Sequence, residues 1–215
     1  MTVVSYYVDT SSLNDLELFD ELYMLQPKYR KDKIDGFRFH KDKALSLGAG
    51  ILLQHVLIEH GIENVEPKYG KYGKPLIEGI SFNLSHSEER AMCSISDTDV
   101  GCDVQFISEM DLDIARDCFF QSEFDLIMSS DDLDKRKDLF FRLWTLKESF
   151  IKTTGLGLNI PLDLFDITLG DSISVHQTVD EKEYHFQEYR IEKEYRYSCC
   201  STDVDFETEI RKIIL

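Results

Sequence analysis

The stretch from about Leu133 to Thr154 constrains this chain most, because its apolar residues recur at helical spacing and predict one helix of roughly five turns. On a wheel of about 100° per residue, Leu139, Leu143, Leu146 and Phe150 fall within an arc of roughly 60°, with Phe140, Trp144 and Ile151 beside them. That arc is the expected core face. Lys147 lands inside the apolar sector, Glu148 lies at its margin, and Lys152 follows Glu148 by four residues. Charge pressed against an apolar face is costly unless it is paired. Two readings fit these residues. In one, Lys147 packs its stem and keeps its head in water, while Glu148 and Lys152 form a surface pair. In the other, the helix walls a cleft that binds both an anion and a cation.

Charge is distributed unevenly over the 215 residues. The net charge of −17 argues against a general nucleic-acid binder. Between Lys28 and Lys74, however, ten Lys/Arg stand against six Asp/Glu, a local +4 that leaves −21 on the rest. A basic region inside an acidic protein suits an anionic ligand or partner; a solvated helix face would carry the same charges. No run is long and apolar enough to predict a membrane span, and the N-terminus lacks a signal-peptide layout. The five cysteines, Cys93, Cys102, Cys118, Cys199 and Cys200, include no C-x-x-C pair, so free thiols in a cytoplasmic protein are expected.

Thr2–Val8 alternates as a strand does. Ser11, Ser12 and Asn14 offer caps for a helix to about Leu25, which Pro27 ends. Lys28–Lys33 reads as a polar connector. A second helix is expected from about Gly36 to His60, with Leu45, Ala49, Leu52, Leu53 and Val56 as its buried stripe. Ser81–Leu84 and Ala91–Ser96 read as short strands around a polar Ser85–Arg90 connection, and Val100–Phe106 as a third. Met110–Phe120 and Ser122–Ser129 read as short helices, the second capped by Ser122 with Asp125 three residues on. After the long helix come β-like runs at Phe165–Leu169, Ile173–Gln177, Tyr184–Arg190, Tyr195–Ser201 and Glu207–Ile214. Each half thus has strands and one long helix. The expected class is α+β, with two similar lobes, residues 1–98 and 99–215, each a small mostly antiparallel sheet on a long helix. A single mixed domain is the alternative.

Several residues suit chemistry on phosphates. Asp103 and Gln105 are two apart in a strand and share a face. With Glu148 they offer oxygen ligands of the kind magnesium takes. Asp103 alone also reads as a strand-end turn residue. Ser85-His86-Ser87 supplies hydroxyls and an imidazole that can grip phosphate. A serine hydrolase is poorly supported, since no G-x-S-x-G elbow exists. Gly73-Lys74-Pro75 is too short for a P-loop.

Taken in order, Gly73-Lys74-Pro75, Phe82-Asn83-Leu84-Ser85-His86-Ser87, Val100-Gly101-Cys102-Asp103-Val104 and Trp144-Thr145-Leu146-Lys147-Glu148-Ser149-Phe150-Ile151-Lys152 resemble the 4′-phosphopantetheinyl transferases, specifically the two-lobe, monomeric, surfactin-synthetase-activating type. The motifs span roughly Gly73 to Gly157. The resemblance implies a pseudo-twofold pair of lobes with coenzyme A in the cleft between them. It implies transfer of the phosphopantetheine arm to a serine of an apo carrier protein, with release of adenosine 3′,5′-bisphosphate. By motif position, Asp103 and Glu148 match the acids that hold magnesium (or manganese), and Lys147 and Lys152 match lysines on the phosphates. Ser85 and His86 match the 3′-phosphate region, and Lys74 and Pro75 the adenine side.

The chain departs from the family pattern twice. Gln105 stands where a second acid is usual, leaving a neutral oxygen or a water for the metal. Leu45 stands where an arginine often precedes the serine at Ser46, so Lys43, Lys41 or Arg38 is expected to take over that contact. Two rivals use the same residues: a magnesium-dependent phosphohydrolase acting on nucleotides, and a non-catalytic module that binds coenzyme A or a carrier. Phe119, Phe120 and Phe124 offer either a docking surface for a carrier helix or core for their own lobe.

Overall fold

The computed structural model describes residues 1–63 and 65–215, with Leu158 through its backbone alone. In chain order the elements are β1 (Val4–Asp9), α1 (Leu16–Met24), α2 (Lys28–Asp35), α3 (His40–Glu59), β2 (Lys68–Tyr69), β3 (Pro75–Leu76), β4 (Ser81–Ser87), β5 (Arg90–Ser96) and β6 (Val100–Phe106). They continue with α4 (Leu112–Cys118), α5 (Gln121–Met128), α6 (Leu133–Thr154), β7 (Asp166–Leu169), β8 (Ile173–His176), β9 (His185–Tyr189), β10 (Tyr195–Ser201) and β11 (Arg211–Ile213). The fold is α+β, as the pattern of strands and helices predicts.

Strict alternation in the central strands builds two sheets, each with a helix on one face and its neighbour on the other. The first sheet has the order β11-β1-β5-β4, the second β6-β10-β9. Ala91, Cys93 and Ile95 of β5 pack with Leu52, Leu53 and Val56 of α3. Met92, from the opposite face of β5, joins Val100, Cys102 and Val104 of β6 in a core between the sheets. The long helix α6 covers the outer face of the second sheet, burying Phe140, Leu143, Leu146 and Phe150 against Phe165 and Ile167. Its bounds are those the apolar spacing predicts.

Where the sheets meet, β4 and β6 are joined by side chains rather than by a backbone ladder. Ser81 Oγ, Asn83 Oδ1, Ser85 Oγ and Ser87 Oγ accept from the amides of Val100 (3.3 Å), Cys102 (2.9 Å), Val104 (3.3 Å) and Phe106 (3.1 Å). Every second residue of β4 satisfies every second amide of β6. This is a zipper with the period of a strand.

Five local features differ from the sequence-based expectation. The run 28–33 is not a connector but most of helix α2, starting after Pro27 and burying Arg30 and Ile34 one turn apart. Scored as polar, Arg30 hides that amphipathic face. The first helix is preceded by a 3₁₀ turn at Ser11–Asn14 and capped by Asp15, whose Oδ1 accepts from Glu17 N (2.9 Å) and Leu18 N (3.2 Å). Ser85–Ser87 belongs to β4, and the turn is at Glu88, with φ of +52°. At α5 it is Glu123 that accepts from Phe120 N (2.8 Å), not Asp125 answering Ser122. Finally, β11 pairs in parallel with β1, and Phe206 bridges Val3. The end of the chain therefore joins the first sheet, although the division at residue 99 places it with the second lobe.

Candidate functional site

Alternation along β6 turns Gly101 and Asp103 toward α6. A Cβ on Gly101 would lie 2.3 Å from Ser149 O and 2.4 Å from Thr153 N, so this glycine lets the helix approach the strand. The approach brings Asp103 to Lys152. Asp103 is 1% exposed. Its Oδ1 accepts from Ser85 Oγ (2.7 Å) and from Lys152 Nζ (2.7 Å), and Ser85 Oγ also accepts from Lys152 (3.0 Å). Asp103 Oδ2 is buried without a hydrogen-bond partner.

One turn before Lys152 on the same helix stands Glu148, half-buried. Burial, and then the Asp103 carboxylate, push its carboxyl above the usual range, with Lys152 pulling the other way. Burial alone would lower the Lys152 ammonium; Asp103, with Cys102 and Glu148, more than offsets it and raises it. Gln105 lies two residues beyond Asp103 and accepts from Ser87 Oγ (3.3 Å). Among the described residues no three His, Cys, Asp or Glu cluster as a metal cage. Two carboxylates, one buried oxygen without a partner and a nearby amide oxygen fit a hard divalent cation that keeps several waters. They do not fit zinc, which prefers nitrogen and sulfur.

Beyond Ser85 on the same strand, His86 lines a cavity of about 200 Å³ together with Asn83, Pro75, Tyr69, Tyr29, Arg30, Lys33, Asp42 and Ser46. Arg30 and Ser46 are each 5% exposed. Arg30 Nη2 donates to Ser46 O, while Arg30 Nε and Ser46 Oγ have no partner among the described residues. Burial lowers the Arg30 guanidinium, and burial and then Arg30 lower Lys33. Two cations crowd each other here, which favours an anion beside them. His86 is pushed down by desolvation and then by Lys152 and Lys33, so it feels both the acid centre and the cavity. Arg30 reaches this place across Gly50 of α3, where a Cβ would lie 2.6 Å from Nε.

The structure brings together Asp103, Glu148, Lys152, Ser85 and His86, with Pro75 on the cavity wall. It places other predicted residues elsewhere. Lys147 is 1% exposed and turned away from Asp103, paired with Glu123 at 2.7 Å and donating to Leu162 O (2.9 Å) and Phe165 O (2.6 Å). With its three protons committed, it cannot contact a phosphate in the cleft. Lys74 likewise donates to Val100 O (2.9 Å), Lys152 O (2.8 Å) and Thr153 O (3.5 Å), holding the β2–β3 turn to the end of α6. Arg38, Lys41 and Lys43 do not line the cavity. Lys41 pairs with Glu88, and Arg38 lies over the Phe39 ring. The cavity's cations come instead from α2, which the sequence reading leaves as a connector. A helix-interior glycine at position 50, costly unless something packs closely on it, was the available signal. Phe119 is core, Phe124 packs against that core, and Phe120 is exposed.

Fold and site together define an α+β protein with two acids suited to a divalent ion beside a cation-lined cavity suited to a phosphorylated ligand. Residues 99–200 match the family model of the 4′-phosphopantetheinyl transferase superfamily. The chain is 36% identical over 166 residues to 4′-phosphopantetheinyl transferase gsp of Aneurinibacillus migulanus, covering 75% of this chain and 70% of that one. It is 27% identical over 192 residues to 4′-phosphopantetheinyl transferase Sfp of Bacillus subtilis (strain 168), covering 86% and 85%. A crystal structure of Thermotoga maritima holo-[acyl-carrier-protein] synthase overlaps 48% of this chain and 61% of that chain, at 18% identity and a TM-score of 0.41. The chain belongs to the 4′-phosphopantetheinyl transferase superfamily.

Proposed function

We propose that this protein transfers the 4′-phosphopantetheine arm of coenzyme A to the side chain of a serine on an apo carrier protein, releasing adenosine 3′,5′-bisphosphate. The observation that carries the reading is Asp103 Oδ2, buried and without a hydrogen-bond partner among the described residues, on a strand zipped to the one that lines a cavity with Arg30 and Lys33. A pyrophosphate with a second phosphate at its far end meets both features at once.

In this reading Arg30, Lys33, Ser46 and His86 hold the 3′-phosphate. Tyr29, Tyr69 and Pro75 offer apolar surface to the purine. A cavity of about 200 Å³ takes this end of the coenzyme alone, and the pyrophosphate extends past Ser85 toward Asp103. Asp103 and Glu148 would hold magnesium or manganese, with Gln105 or a water beside them. That ion, when bound, neutralises pyrophosphate charge as the phosphorus–oxygen bond breaks. Lys152 places a positive charge near the leaving oxygen. Glu148, its carboxyl raised by burial and by Asp103, takes the proton of the carrier serine directly or through water. The serine oxygen bonds to the phosphorus of the pantetheine side, and the bond to the bridging oxygen breaks.

The two lobes are taken as the working units, with the cleft where β4 meets β6. We place the enzyme in the cytoplasm as a monomer; the five unpaired cysteines suit a reducing compartment. No helix among the described residues is long and apolar enough to cross a membrane. The test is to incubate the protein with coenzyme A, magnesium and several apo carrier proteins, then weigh the products. A carrier heavier by one phosphopantetheine supports transfer. Cleaved coenzyme without carrier gain would point to a hydrolase, and coenzyme binding alone to a non-catalytic module.

A further inference from the structure

The zipper between the sheets brackets Asp103. The amide before it, Cys102 N, is held by Asn83 Oδ1 at 2.9 Å, and the amide after it, Val104 N, by Ser85 Oγ at 3.3 Å. Cys102 returns a contact from its thiol to Asn83 O (3.2 Å). Asp103 belongs to the second sheet, yet its backbone is fixed on both sides by side chains of the first. The same strand, β4, lines the cation cavity through Asn83, Leu84 and His86.

One zipper position differs from the rest. Ser81, Ser85 and Ser87 reach β6 with a hydroxyl on Cβ, whereas Asn83 reaches with an oxygen one bond further out and makes the shortest contact of the four. Asn83 is buried, as is Cys102. Removing its oxygen would leave a buried amide next to Asp103 without a partner.

We propose that Asn83 is a positioning residue: it holds the Cys102 amide and so fixes the carboxylate of Asp103 for the divalent ion, at a set distance along β4 from the 3′-phosphate cavity. This rests on the transferase reading above. Asn83 acts through β6 and not on the reacting atoms, so its loss moves metal affinity and turnover together.

The experiment compares Asn83→Ala and Asn83→Ser with Ser81→Ala, which removes the same kind of bond from Val100, three residues before Asp103. Manganese binding to the protein–coenzyme complex is followed by electron paramagnetic resonance, alongside kcat, the KM for coenzyme A and the melting temperature. We expect Asn83→Ala to weaken manganese binding about tenfold and to lower kcat by a similar factor, with the KM for coenzyme A within about twofold of wild type. Ser81→Ala should leave manganese binding and kcat near wild type. Asn83→Ser, with a shorter acceptor, should fall between, and it serves if Asn83→Ala does not fold. The proposal is overturned if manganese affinity in the Asn83 variants equals that of Ser81→Ala. It is also overturned if the KM for coenzyme A rises while kcat holds, since Asn83 would then be a ligand contact. A wild-type protein that transfers no phosphopantetheine would instead sink the transferase reading, and the manganese titration distinguishes the two failures.

Discussion

Lys147 and Lys152 share one helix and one motif, but five residues turn a helix by about 140°, so the two ammoniums face different neighbours. Lys147 is locked with Glu123, whose carboxylate also accepts from Phe120 N (2.8 Å) and Ile167 N (2.7 Å). Lys147→Met leaves that carboxylate buried and without its cation, and should cost roughly 3–5 kcal/mol in urea unfolding, part of it recovered in the double variant with Glu123→Gln, which can still accept from an amide. Lys152→Ala also strands a buried carboxylate, that of Asp103, and should lower the melting temperature as well as reducing kcat about 10²-fold or more in a coupled assay of product release. Glu148 titrates in the other direction from a paired carboxylate. Its raised carboxyl favours the folded state below the ordinary glutamate range, and that contribution is lost as pH rises through the raised value. With metal chelated, Glu148→Gln should therefore melt higher than wild type at about pH 8, and the gap should close toward about pH 4. A gap that stayed constant across the scan would argue against a raised Glu148.

At the scale of elements, two glycines set the distances that matter. Gly101 lets α6 lie against β6, so Gly101→Ala must shift the helix that carries Glu148 and Lys152 relative to Asp103. The expected result is a kcat drop of at least about tenfold, together with a lower melting temperature. Gly50→Ala meets the Arg30 guanidinium instead, and should raise the KM for coenzyme A with kcat largely kept. Much of this was legible beforehand. The helical recurrence of apolar residues marks α6 from Leu133 to Thr154, and β-like runs mark β6 and β10. The acids on β6 and α6 follow from their spacing and from the family motifs. Three things were hidden for physical reasons. Helix α2 buries an arginine as part of its inner face, and a polar count cannot see that. Ser85 and Ser87 of β4 look like loop residues until their hydroxyls are seen on β6. A helical wheel placed Lys147 on the inner side but could not tell a ligand from Glu123.

Over the whole molecule, the −17 net charge is interrupted by the basic segment from Lys28 to Lys74, and its buried arginine reaches the cavity. In the transferase reading an acidic carrier protein docks on this segment, where short-range attraction works against the repulsion of the acidic remainder. Its kcat/KM should fall several-fold between about 50 and about 200 mM salt, while the KM for coenzyme A, gripped inside the cleft, changes less. In the proposed metal site Gln105 would stand in place of a carboxylate, so Gln105→Glu should lower the magnesium concentration that gives half-maximal rate. The most direct measurement is a crystal structure of the manganese–coenzyme A complex, with the metal located by anomalous scattering. A single peak is expected within coordination distance of both Asp103 Oδ2 and Glu148, with the 3′-phosphate against Arg30 and Lys33. A peak bound by neither acid, or a coenzyme lying outside the Arg30 cavity, would contradict that placement.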